Sequence, residues 1–198
     1  MPLIVGGNSG NPNSTEFPGG IFVNQATIVA IEDISGEQLL YMKTPCDVGI
    51  RITIDVGRDF QPTLNITGNV KRDGEKTDWG QAWIVRAFFD KLGIAGHIEE
   101  ENGRFHIPAE MLTECVGKQF LKLSYCAGMK EKDPTKVRFS EWYEIATVEE
   151  GAQALHARFL KSLSKGYPKN YSASTWETRK DVAAATPAPP PASDGPQW

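Results

Sequence analysis

The chain has 198 residues, 40% of them hydrophobic, 10% aromatic, and a net charge of −4, enough for one domain with a real core plus extensions. No run approaches the roughly 20 apolar residues of a membrane span, and Met1 to Val5 gives way at once to Gly and Asn, with no signal-peptide core. Cys46, Cys115 and Cys126 are odd in number and form no Cys-x-x-Cys pair, so they read as free thiols of a cytoplasmic protein, which excludes a disulfide framework or a zinc site.

In chain order, residues 1–20 are a Gly/Asn/Ser/Pro-rich flexible arm. Ile21 to Ile34 is a β-branched strand, and Glu37 to Thr44 pairs with it as a hairpin across Ser35-Gly36. Val48 to Val56 alternates, with Ile50, Ile52 and Ile54 on one face and Arg51, Thr53 and Asp55 on the other, and Leu64 to Val70 continues the alternation. The period then changes to that of a helix, capped by Thr77 or Asp78, running through Trp79 to Leu92 and stopping at Gly93. Glu99-Glu100-Glu101 before Asn102-Gly103 reads as a solvated loop, and Pro108 opens a short helical turn. Strands resume at Lys118–Tyr125 and Lys136–Thr147. Thr147 and Glu150 form a capping box for a last helix with the buried stripe Ala152, Leu155, Phe159 and Leu163, ending near Gly166. The segment 167–171 then wraps around the domain. Strands with a helix inserted before the last two predict a small barrel or sandwich over residues 21–171.

Enzyme signatures are missing. There is no phosphate-cradling loop, no nucleophile elbow and no His-Glu-x-x-His. His97, His106 and His156 are scattered, and no base, nucleophile and orienting group co-occur. The reading is a protein that is not an enzyme and needs no cofactor or metal.

Charge is distributed unevenly. Residues 1–117 hold 9 basic and 16 acidic side chains, whereas residues 118–180 hold 12 basic and 7 acidic. Lys118 and Lys122 lie on one face of their strand, and Lys130, Lys132, Lys136 and Arg138 fill the following loop and strand. On that strand Lys136, Arg138, Ser140 and Trp142 alternate with Val137, Phe139, Tyr143 and Ile145. Cations that follow phosphates beside an exposed ring that stacks on bases make a single-strand platform. Arg51 and Arg58, or Lys71 and Arg72, extend it from the first half of the chain. The bland reading keeps Trp142 in the core and leaves the lysines solubilising.

The order of elements resembles phage-encoded single-stranded-DNA-binding proteins of the OB-fold kind. The matching pieces are Phe17-Pro18-Gly19-Gly20-Ile21, the helix Ala82 to Gly93, and Val116-Gly117-Lys118-Gln119-Phe120, within residues 17–147. The resemblance implies a mostly β fold with helices: an OB-like five- or six-stranded antiparallel barrel with an inserted helix and a C-terminal helix. It also implies non-catalytic binding of single-stranded DNA in replication or recombination.

Residues 172–198 read as a disordered Pro/Ala-rich tail whose core, Thr186 to Ala192, is a semi-extended spacer. Its end, Ser193 to Trp198, resembles the C-terminal tips of single-stranded-DNA-binding proteins. That resemblance implies recruitment of replication or recombination proteins through Asp194, Pro196 and Trp198. Homo-oligomer formation stays open. The rival reading is a β-rich protein-interaction or virion structural module that binds no nucleic acid.

Overall fold

A computed structural model describes residues 13–40, 42–57, 61–73, 76–78 and 82–185 of the protein. The strands β1 (Ser14–Phe17), β2 (Ile21–Asp33), β3 (Val48–Asp55), β4 (Thr63–Gly68), β9 (Gln119–Lys130) and β10 (Asp133–Ala146) form one antiparallel sheet. Its order is β10-β9-β2-β3-β4, with β1 paired to the start of β2. Three strands meander, a helical insertion follows, and β9 returns beside the opening strand. This is the arrangement of an OB-like, nearly closed barrel, as the resemblance implied.

The curl originates in β2. Its first half, Ile21–Thr27, pairs with β9, its second half, Thr27–Asp33, pairs with β3, and a bulge between Ile28 and Ala30 lies near the start of the second half. A bulge bends its strand and increases the local twist. One strand therefore serves two walls.

The interior is filled by the alternating residues read from the sequence: Ile50, Ile52 and Ile54 of β3 with Ala26, Ile28 and Phe120. The helix α1 (Trp83–Lys91) adds Val85, Phe88 and Phe89, and α2 (Ala109–Cys115) adds Met111 and Cys115. A second core lies on the opposite face of β9. There Leu121, Leu123, Tyr125 and Ala127 pack under Leu155 and Phe159 of α3 (Gly151–Ser164). Covered on both faces, β9 is buried almost continuously from Phe120 to Ala127.

The capping box holds: Thr147 N–H donates to Glu150 Oε2 (2.9 Å) and Glu150 N–H to Thr147 Oγ1 (3.2 Å). The wrap-around segment is anchored by Tyr171, whose ring meets Tyr125 and Phe159, and by Tyr125 Oη donating to Asn170 Oδ1 at 2.9 Å.

Several local expectations are corrected. The described residues of Glu37–Thr44 form no strand, because β2 pairs with β3 instead. Asp33 Oδ1 accepts the Ser35 N–H, Gly36 takes φ 82°, and Gln38 Nε2 donates to the carbonyls of Met42 and Lys43, which closes a loop. Thr77 and Asp78 do not cap α1. They belong to β6 (Lys76–Asp78), paired with β5 (Lys71–Asp73), and the helix starts after Ala82. The acidic run is no plain loop either. Glu99–Glu101 is β7 and Arg104–His106 is β8, joined through Asn102 (φ 51°) and Gly103 (φ 76°). Two successive positive φ values are what the tightest hairpins require, and Asn-Gly supplies them.

The tail boundary placed at 172 also moves. Ala173–Ala185 is a helix, α4, and its Trp176 is buried against Phe22 and Phe139 at ring distances of 5.3 and 5.8 Å. The Pro18-Gly19-Gly20 turn forms the seat. Gly20 has φ 73°, and a Cβ there would lie 2.6 Å from Trp176 Cγ, so only glycine fits. The arm placed at residues 1–20 is corrected too, since Ser14–Phe17 is β1, paired with β2, and Phe17 is buried in the second core. Residues 1–12 and 186–198, the latter with Asp194, Pro196 and Trp198, lie outside the described residues. No helix among the described residues is long and apolar enough to cross a membrane.

Candidate nucleic-acid interface

The functional geometry turns on β10. Phe139 lies opposite Cys126, Ser140 opposite Tyr125, and Glu141 opposite Ser124. Directly opposed residues project to the same face of a sheet. Ser140 and Trp142 therefore share the Tyr125 face, which α3 covers. Glu141 and Tyr143 share the face of Ser124 and Lys122. Trp142 is 5% exposed, with its ring 5.3 Å from Phe159. The strand predicted to display Trp142 thus displays its neighbour, because a helix lies over the tryptophan face.

Tyr143 is 44% exposed and meets Trp83 of α1, itself 47% exposed, edge to face at 6.0 Å. Around Tyr143 three cavities meet. One, about 270 Å³, fills the gap between β4 and β10, with Leu64, Ile66, Phe88, Phe120, Lys122 and Glu141 among its walls. No strand pairing joins β4 to β10, so this gap is the open seam of the barrel. The second, about 260 Å³, lies between α1 and β10 beside Trp83 and Lys91. The third, about 730 Å³, runs between β10 and the end of α3 past Arg158, Lys161 and Lys165 to Tyr167, which is 60% exposed. Tyr143 is a wall of all three, which together make the groove around it, with the exposed ring of Trp83 on the second cavity and that of Tyr167 on the third.

Its charges divide into tied and untied. Arg158 is held by Glu144 (3.3 Å) and Glu150 (2.9 Å), and Lys91 by Glu150 (2.7 Å). Lys161, Lys165 and Lys169 are exposed and make no ion pair among the described residues, and Lys169 Nζ lies 6.0 Å from the Tyr167 ring centre. These cations are available to an anionic ligand.

Glu150 is the junction of α1, α3 and the capping box. Partial burial disfavours its charge, but Lys91, the Thr147 N–H and Arg158 together outweigh that and lower its pKa to about 2. A folded pKa below the unfolded one stabilises above the unfolded value, and the gain is lost as pH falls through the folded value. The stability difference between the native chain and Glu150→Gln is therefore expected to be full at neutral pH and to shrink between about pH 4.5 and 2. Urea unfolding at a series of pH values measures it, and a difference constant to pH 2 would refute the coupling.

The remaining predicted site residues are not brought together. Arg51 is occupied by Glu32 (2.7 Å) and Glu37 (2.8 Å). Lys122 lies inside, with a side chain 8% exposed, paired to Glu141 at 2.9 Å. Lys130 and Lys132 are exposed at the β9–β10 turn, where Lys136 pairs with Asp133 (2.9 Å) and Arg138 donates to the Ala127 carbonyl (2.9 Å). About 25 Å of strand separates that turn from Lys122, at roughly 3.3 Å per residue. Lys118 is half-buried at the far end of β9, and Lys71 is exposed on the β5–β6 hairpin. Arg72 is in β5 with its side chain outside the described ones, and Arg58 lies outside the described residues.

The groove residues missed from sequence had a readable signal in part. Arg158, Lys161 and Lys165 recur at helical spacing opposite the Leu155/Phe159 stripe. The apolar face of α1 was also wider than one contact can cover, and Trp83 is the member left over.

The other reactive side chains are structurally engaged. Burial pushes the Cys115 thiol up to about 11 and raises those of Cys46 and Cys126, which keeps all three protonated and unreactive near neutrality. His156 stacks on Phe17 at 4.0 Å, and His106 pairs with Glu99 at 2.9 Å. Among the described residues no group of three or more His, Cys, Asp or Glu could hold a metal ion. No family model and no curated protein matches the chain.

Proposed function

We propose that this protein binds single-stranded DNA, without catalysis, along the groove that passes Trp83, Tyr143 and Tyr167. The observation that carries this reading is the co-location of three exposed rings with Lys161, Lys165 and Lys169, cations that no carboxylate among the described residues neutralises. Stacking on aromatic rings accepts any base, and lysines beside it neutralise the backbone. OB-folds commonly bind oligonucleotides on the face of their second and third strands. Here those strands, β3 and β4, contain no aromatic residue. Tyr143 stands instead at the seam where β4 faces β10, with Trp83 beside it toward α1 and Tyr167 beyond the end of α3, which shifts the platform toward those two helices.

Replication and recombination expose single strands and are the settings this reading fits. Recruitment of partner proteins by Asp194, Pro196 and Trp198 rests on sequence resemblance alone.

Fluorescence titration with oligothymidylate over a range of salt concentrations is the test. Tyr143→Ala is expected to weaken binding by roughly 1–3 kcal/mol, the value of one stacked base. A Lys161→Glu/Lys165→Glu double variant is expected to flatten the dependence of log affinity on log salt by about 1.4, at about 0.7 per single-strand phosphate contact. Absence of binding at low salt, or affinity indifferent to salt, would overturn the reading.

A further inference from the structure

The seam cavity differs from the rest of the groove because one of its charged side chains, Lys122, is buried. Lys122 is set in the β9 wall at 8% exposure, and its only ion-pair partner among the described residues is Glu141, 2.9 Å away and 44% exposed. An ammonium has three donors, and a carboxylate has two oxygens that each accept more than one hydrogen bond. The pair therefore neutralises itself and still has unspent donors and acceptors side by side. Around it the walls are mostly apolar, with Phe88, Phe120, Leu64 and Ile66, the polar exceptions being Asn65 and Thr67 of β4, and Tyr143 also lines the cavity. A pair needed only to fill space could be replaced by apolar side chains at little loss, since burying a lysine is costly unless it is well satisfied. A cavity of about 270 Å³ is smaller than a drug-sized site. It has room for one heterocycle, not for a folded peptide.

We infer that this seam cavity accepts a single nucleobase turned out of the bound strand and that the Lys122–Glu141 pair selects guanine. The inference rests on the single-strand reading above. Among the bases, only guanine presents two adjacent N–H donors (N1 and the 2-amino group) beside an acceptor, O6. The two donors match the Glu141 carboxylate and O6 matches the Lys122 ammonium. Thymine offers one donor between two acceptors, cytosine one amino donor beside the acceptors N3 and O2, and adenine one amino donor beside the acceptor N1, so each loses at least one of the three bonds. Single-stranded bases are commonly read in this way, stacked on rings and hydrogen-bonded along their pairing edge.

The test compares oligothymidylates that carry one central guanine, hypoxanthine or thymine, titrated into the full-length chain. Guanine is expected to bind at least about fivefold tighter than thymine, the discrimination of one good bidentate contact. Hypoxanthine, which lacks only the 2-amino group, is expected to lose most of that advantage. In Glu141→Gln the guanine-to-hypoxanthine ratio is expected to fall to one, whatever happens to absolute affinity. Equal binding of the guanine and hypoxanthine strands by the native chain overturns the inference and leaves the single-strand reading standing. Failure of every strand to bind removes both.

Discussion

Trp142→Ala is expected to destabilise the domain by about 3–5 kcal/mol, the usual cost of emptying a large aromatic site in a core. Tyr143→Ala, one residue along, is expected to cost about 1 kcal/mol or less, as at exposed positions generally. The contrast follows from which face each ring occupies. Trp142 lies under α3 with Phe159 against it, whereas Tyr143 stands on the open face against Trp83. Urea unfolding followed by circular dichroism measures both. Oligonucleotide affinity should show the reverse order once measured on folded protein, with Tyr143→Ala the larger loss. If Trp142→Ala left stability unchanged, the packing of α3 on this face would be wrong.

Trp176→Ala is expected to cost a similar 3–5 kcal/mol. The ring is the only buried side chain described on α4 and fills the space over Gly20, edge-on to Phe22 and Phe139. Gly19 N–H donates to Glu177 Oε1 at 3.1 Å, so the same helix holds the β1–β2 turn twice. A chain ended at Ser172 should therefore melt well below one ended at Ala185, and the latter should match the full chain. Thermal unfolding of the three lengths decides it, and equal melting of the two truncated chains would return α4 to the tail.

The failures of sequence reading have physical causes of distinct kinds. The barrel walls were legible where one face only is buried: the alternation of Ile50, Ile52 and Ile54 with Arg51, Thr53 and Asp55 appears as read. So were α3 and its capping box, because stripe and cap are local. On β10 the alternation was read correctly as a period, but alternation does not say which face a later helix will cover. The shifts in register on both sides of residues 139–141 further break the phase along that strand. α4 was invisible because Ala173–Ala185 has no apolar stripe, and among its described side chains one tryptophan alone is buried. The basic cluster misled through distance: cations close in sequence around Lys130–Arg138 stand at a hairpin tip, far along the strand from the rings. The Glu99–His106 hairpin was written in its Asn-Gly pair and lost to the weight given to three carboxylates.

The seam between β4 and β10 has a topological consequence. The barrel interior is filled by its own side chains, so a polymer can reach the molecule only by lying against it from outside. Here no ladder bond has to break for a chain to reach the groove, because side chains and the flank of α1 alone stand between the two strands. On the single-strand reading proposed above, the polymer is laid in from the side and lifted out the same way, so a strand without free ends is as accessible to this groove as a linear one.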